Sequence, residues 1–137
     1  MLMRRILIVE HSAALAKLWK QTFKLNVDYE IILCSTAPAA LDLLDCETFD
    51  IVVTDLFVPG GSGGLGVLLK IFTMDEQRPP VIAVTGEKVP SVMSCVNNVY
   101  LEQADRLGAA RTLLKPFPAA ELFLAVEELL AARTVSA

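Results

Sequence analysis

Ile51-Val52-Val53-Thr54-Asp55 is the stretch on which the fold turns. Four strand-favouring residues in a row, without polar alternation, describe a strand covered on both faces, and such strands belong to parallel sheets. The run stops at a carboxylate. Working outward, comparable runs are Ile6–Val9, Val81–Thr85 and, weaker, Thr112–Leu114, with Glu30–Cys34 between the first two of the series. Helical periodicity fills the gaps. Leu15, Leu18, Trp19, Thr22 and Phe23 share one face, with Ser12 as N-cap. Ala37, Ala40, Leu41 and Leu44 share the next, followed by Leu65, Leu68, Leu69 and Phe72. Val96, Val99, Tyr100, Ala104 and Leu107 form a fourth, and Leu122, Leu124, Ala125, Leu129 and Leu130 a fifth, behind Pro118 near the first turn. Strand and helix thus alternate five times, which with right-handed crossovers predicts a doubly wound α/β sandwich.

The chain has 137 residues, enough for one domain that buries a full core without staples. A hydrophobic fraction of 54% excludes a disordered chain. Twelve Lys and Arg against sixteen Asp and Glu give a net charge of −4, which argues against a general nucleic-acid binder. Cys34, Cys46 and Cys95 form no CxxC pair or Cys/His cluster, so reduced thiols are expected rather than zinc ligands or disulfides. The apolar run after Arg4-Arg5 ends at Glu10, too short for a secretion signal, and no run approaches a membrane span. A cytoplasmic protein with no membrane contact is the expectation.

In a doubly wound sheet the active groups lie at the carboxyl ends of the strands. The predicted strands end in Glu10-His11, Asp55, Thr85-Gly86-Glu87 and Lys115-Pro116-Phe117. A carboxylate flanked by a hydroxyl and an ammonium suits phosphoryl chemistry. The carboxylate attacks phosphorus, the lysine offsets the charge on the phosphoryl oxygens and the threonine donates a hydrogen bond to one of them. A divalent cation would complete such a site. Taken singly, Asp55 and Lys115 read more simply as a structural ion pair and Thr85 as a strand end. Their convergence on one rim favours the chemical reading.

At this point the chain resembles a response-regulator receiver domain of two-component signalling, from Arg5 to about Arg133. The resemblance rests on Ile6-Leu7-Ile8-Val9-Glu10, on Phe49 to Asp55, and on Asp55-Leu56-Phe57-Val58-Pro59 with Gly63. It continues through Val84-Thr85-Gly86, Leu107-Gly108-Ala109 and Leu114-Lys115-Pro116-Phe117. It implies a flavodoxin-like sheet of five parallel strands in the order 2-1-3-4-5. It also implies that Asp55 is the phosphoacceptor, Thr85 the switch hydroxyl and Lys115 the phosphate contact, with a cis bond before Pro116. Magnesium would be held by Glu10, Asp55 and the Phe57 carbonyl. The implied partners are a histidine kinase or phosphotransfer protein, and a second copy or output partner on the surface of the fourth helix, fifth strand and fifth helix.

The departures from the family carry their own expectations. His11 stands where the family has a second acidic residue, and neutral imidazole is a poor magnesium ligand. Magnesium dependence is then impaired or altered, unless His11 has turned outward without a role. Thr112 is too small for the aromatic switch of the family. Phe57 cannot hold an attacking water, so a phosphoryl group on Asp55 should hydrolyse slowly; Glu87, two after Thr85, reads equally as a residue that influences that water or as a plain solvated loop charge. Thirty positions separate Thr85 from Lys115, and the excess falls in Glu87–Leu107 around Pro90. The rival to a phosphorylated switch is a degenerate receiver that binds partners without phosphorylation. Gly61-Ser62-Gly63-Gly64-Leu65-Gly66 formally matches a dinucleotide fingerprint, but it follows the third strand rather than the first and reads as a glycine-rich loop entering a helix.

Overall fold

The computed structural model describes residues 3–25, 28–74, 78–86 and 102–135. Five parallel strands form one sheet: β1 (Arg4–Val9), β2 (Tyr29–Cys34), β3 (Ile51–Asp55), β4 (Val81–Thr85) and β5 (Arg111–Leu114). Their spatial order is β2-β1-β3-β4-β5, as expected. The helices are α1 (Ala13–Lys24), α2 (Ala37–Cys46), α3 (Gly63–Phe72), α4, described over residues 102–106, and α5 (Ala119–Val135). Glu87, Pro90, Cys95, Val96, Val99 and Tyr100 lie outside the described residues.

Strand phase divides the interior. Ile6, Ile8, Ile51, Val53, Ile82 and Val84 face a layer built with Trp19, Phe23, Leu122 and Val126 of α1 and α5. Leu7, Val9, Val52, Val81 and Ala83 face the opposite layer, with Ala40 and Leu44 of α2 and Val67, Leu68 and Ile71 of α3. Every residue of β3 and β4 is buried, which is why those runs show no polar alternation. Each buried aliphatic side chain contributes about 1.5–3 kcal/mol. The edge strands β2 and β5 are only half covered.

Helix starts follow their caps. Ser12 Oγ accepts from Leu15 N at 3.3 Å, and Thr36 Oγ1 accepts from Ala39 N at 3.2 Å. Several expected helix faces are corrected. Leu18, Leu69, Phe72 and Leu124 are exposed, whereas Ala16, Val67, Ile71 and Val126 are buried. In α3 the buried face is Gly64, Val67, Leu68 and Ile71, because the helix leans its glycine onto β3. A Cβ on Gly64 would stand 2.2 Å from the Asp55 carbonyl oxygen. Strand ends also shift: β2 starts at Tyr29 rather than Glu30, and β5 at Arg111 rather than Thr112.

Candidate functional site

Register alone brings the site together. Asp55 pairs with Val84 and Thr85 with Leu114, so the ends of β3, β4 and β5 stand side by side. Lys115 N donates to Thr85 O at 3.0 Å, which carries the lysine past the end of β5 beside Thr85. The following Lys115–Pro116 peptide is cis. Glu10 N donates to Cys34 O at 3.0 Å and extends β1 to the same rim.

One ammonium joins the two acids. Lys115 Nζ donates to Asp55 Oδ2 at 2.7 Å and lies 2.7 Å from Glu10 Oε1. The Glu10 contact is a charge contact without hydrogen-bond alignment. Glu10 Oε2 accepts from Ser12 N at 2.9 Å, and Asp55 Oδ1 accepts from Phe57 N at 2.8 Å. All three side chains are nearly removed from water, with 1%, 8% and 9% exposure for Glu10, Asp55 and Lys115. Burial pushes the Glu10 carboxyl above the usual range, against the opposing pull of Lys115 and Ser12. Burial alone would lower the Lys115 ammonium, but its hydrogen bond to Asp55 and its close charge contacts with Asp55 and Glu10 win and raise it. Thr85 is fully buried, and its hydroxyl has no hydrogen-bond partner among the described residues.

Glu10, Asp55, Thr85 and Lys115, expected at the rim, are therefore brought together there. His11 is exposed to solvent. Among the described residues no three of His, Cys, Asp and Glu gather as a metal cluster. The oxygen donors nevertheless suit a hard cation. Glu10 and Asp55 each offer a buried carboxylate oxygen to the same ammonium, so the two oxygens lie less than twice 2.7 Å apart. The Phe57 peptide is held against Asp55 by its own N–H. Phe57 turns its side chain 44% into solvent. Sequence reasoning missed two participants. The Ser12 N–H binds Glu10, and the Trp19 ring lies 5.8 Å from Lys115 Nζ. The one available signal was that Trp19 is the largest residue on the inner face of α1.

Residues 6–127 match the response regulator receiver domain. The chain belongs to that family. This receiver domain of two-component response regulators is 31% identical over 118 residues to the response regulator protein FleR of Pseudomonas aeruginosa, covering 86% of this chain and 23% of FleR. It is 30% identical over 125 residues to the regulatory protein VanR of Enterococcus faecium, covering 90% of this chain and 48% of VanR. The chain thus spans at most about half the length of these curated relatives. Among solved structures it resembles the receiver domain of the sensor histidine kinase PA1611 of Pseudomonas aeruginosa, with a TM-score of 0.75 and 20% identity over 94% of this chain and 98% of that one. In that structure a magnesium ion is coordinated in the active-site cleft. Among the described residues no helix is long and apolar enough to cross a membrane.

Proposed function

We propose that this receiver domain accepts a phosphoryl group on Asp55 from the phosphohistidine of a kinase or phosphotransfer protein and switches a partner-binding surface in response. The observation that carries this reading is the Lys115 ammonium within 2.7 Å of both Asp55 and Glu10, at the rim where the buried Thr85 hydroxyl is unpartnered among the described residues. The Asp55 carboxylate forms the new O–P bond as the P–N bond breaks, and the imidazole leaves with the electron pair. Lys115 then moves its charge toward a phosphoryl oxygen. Thr85 Oγ1 gains there the hydrogen bond that it lacks among the described residues, which supplies a driving force for its shift.

Glu10, Asp55 and the Phe57 carbonyl would hold magnesium, which supplies positive charge against the phosphoryl oxygens when bound. With His11 in solvent, two acids rather than three serve the cation, and its affinity is correspondingly weak. Phe57 offers no group to orient a water, so the acyl phosphate is long-lived. Leu114, 58% exposed on β5, belongs to the surface where a second copy or an output partner would dock.

The test is incubation with acetyl phosphate, with and without magnesium, followed by intact mass. A phosphoryl adduct on the wild type that needs magnesium and is absent from Asp55→Asn is the expected result. Absence of any adduct at millimolar magnesium would select phosphorylation-independent binding instead.

A further inference from the structure

The ammonium of Lys115 has a third neighbour that phosphoryl chemistry does not require. The Trp19 ring centroid lies 5.8 Å from Lys115 Nζ, within the range of a cation–π contact. Trp19 is 2% exposed and projects from α1. Its ring stacks on Phe117 at 5.7 Å between centroids and 14° between planes. Phe117 follows Lys115 by two residues, so the indole grips the β5–α5 corner at the aromatic ring and at the charge. Water is nearly excluded around the lysine, and in such a setting the ring quadrupole acts on the cation with little screening. Glu10 binds the same helix through the Ser12 N–H. Both attachments of the acidic rim to α1 therefore meet at Lys115.

We infer that Trp19 is a positioning residue, which holds the Lys115 ammonium in its seat between Glu10 and Asp55 and registers on α1 any movement of that charge. Its functional consequence rests on the phosphoryl-transfer reading above; its geometry does not. An ammonium that leaves the acids for a phosphoryl oxygen changes its distance from the indole. The indole in turn narrows the positions from which the ammonium starts, and such orientation is worth rate.

Trp19 is the sole tryptophan of the chain, so its indole emission comes from this ring, with Phe117 and Lys115 among its neighbours. Emission should shift when Lys115→Met removes the ammonium beside the ring, while Lys115→Arg, which keeps a cation there, should stay close to wild type, with circular dichroism showing that both variants are folded. Emission that is the same in wild type, Lys115→Met and Lys115→Arg would overturn the inference, whether or not the protein takes up phosphorus. The second arm compares acetyl phosphate-driven phosphorylation in Trp19→Phe and Trp19→Leu. Phenylalanine keeps a π face and should stay within about twofold of wild type, while leucine, equally apolar, should slow the reaction at least fivefold. Equal rates in the two variants would overturn the positioning role. If Trp19→Leu does not fold, the emission arm decides alone. If the wild type is not phosphorylated, the function proposed above fails and emission again decides this inference.

Discussion

Thr85 carries a hydroxyl that is fully buried and makes no hydrogen bond among the described residues. An unsatisfied buried hydroxyl costs about 1–3 kcal/mol. Thr85→Val keeps the shape and removes the hydroxyl, so unfolding in urea should show a gain of about 1 kcal/mol together with a loss of any phosphorylation-linked conformational change. Lys115 behaves oppositely. Its ammonium titrates higher in the folded chain than in the unfolded one, so its contribution is full below the ordinary lysine value and disappears as pH rises through the folded value. Lys115→Met should cost about 3–5 kcal/mol near neutrality, because two buried carboxylates lose the one ion-pair partner they have among the described residues. Part of that loss should return on acidification, since Glu10 already binds its proton more readily than an exposed carboxylate, and melting temperature against pH checks both slopes. The identities of Asp55, Thr85 and Lys115 as rim residues were legible because each ends an apolar run. The sharing of one ammonium with Glu10 was not, since it depends on the alignment of β1, β3 and β5 across the sheet.

Among the elements, α3 depends on a residue that packs nothing of its own. Gly64 N donates to Leu56 O at 3.2 Å, which draws the start of the helix against the end of β3. Gly64→Ala would press a methyl group into the Asp55 carbonyl, a clash with backbone that no rotamer relieves. It should destabilise the fold by about 1–3 kcal/mol and slow phosphorylation by shifting Asp55, read by denaturant unfolding and adduct formation. The same closeness explains why the inner face of α3 was hard to read from sequence. Leu65, Leu68, Leu69 and Phe72 make an apolar stripe, yet a glycine marks the buried side, and Leu69 and Phe72 are left in solvent. Leu124 misled in the same way, because α5 carries leucine around much of its circumference and periodicity then selects no face. The strands were read more easily. A strand buried on both faces admits almost no polar residue, so β1, β3 and β4 announce themselves, whereas the edges β2 and β5 blur at their starts.

At the scale of the whole molecule, the sheet separates two apolar layers that share no side chain among the described residues. Leu44 belongs to the layer beneath α2 and α3, and Leu122 to the layer beneath α1 and α5. Leu44→Ala and Leu122→Ala should each cost about 2–5 kcal/mol. Their sum should match the double variant to within about 0.5 kcal/mol in denaturant unfolding, as holds for distant independent sites. A larger discrepancy would mean that the strands transmit strain from one layer to the other. The rim is fastened mainly to one side, where α1 meets Glu10 through Ser12 and Lys115 through Trp19. The interior is therefore modular. A combinatorial library that randomised Leu7, Ala40, Leu44 and Val67 would recompose one half of it, while the opposite half preserved both the scaffold and the aromatic anchor of the lysine.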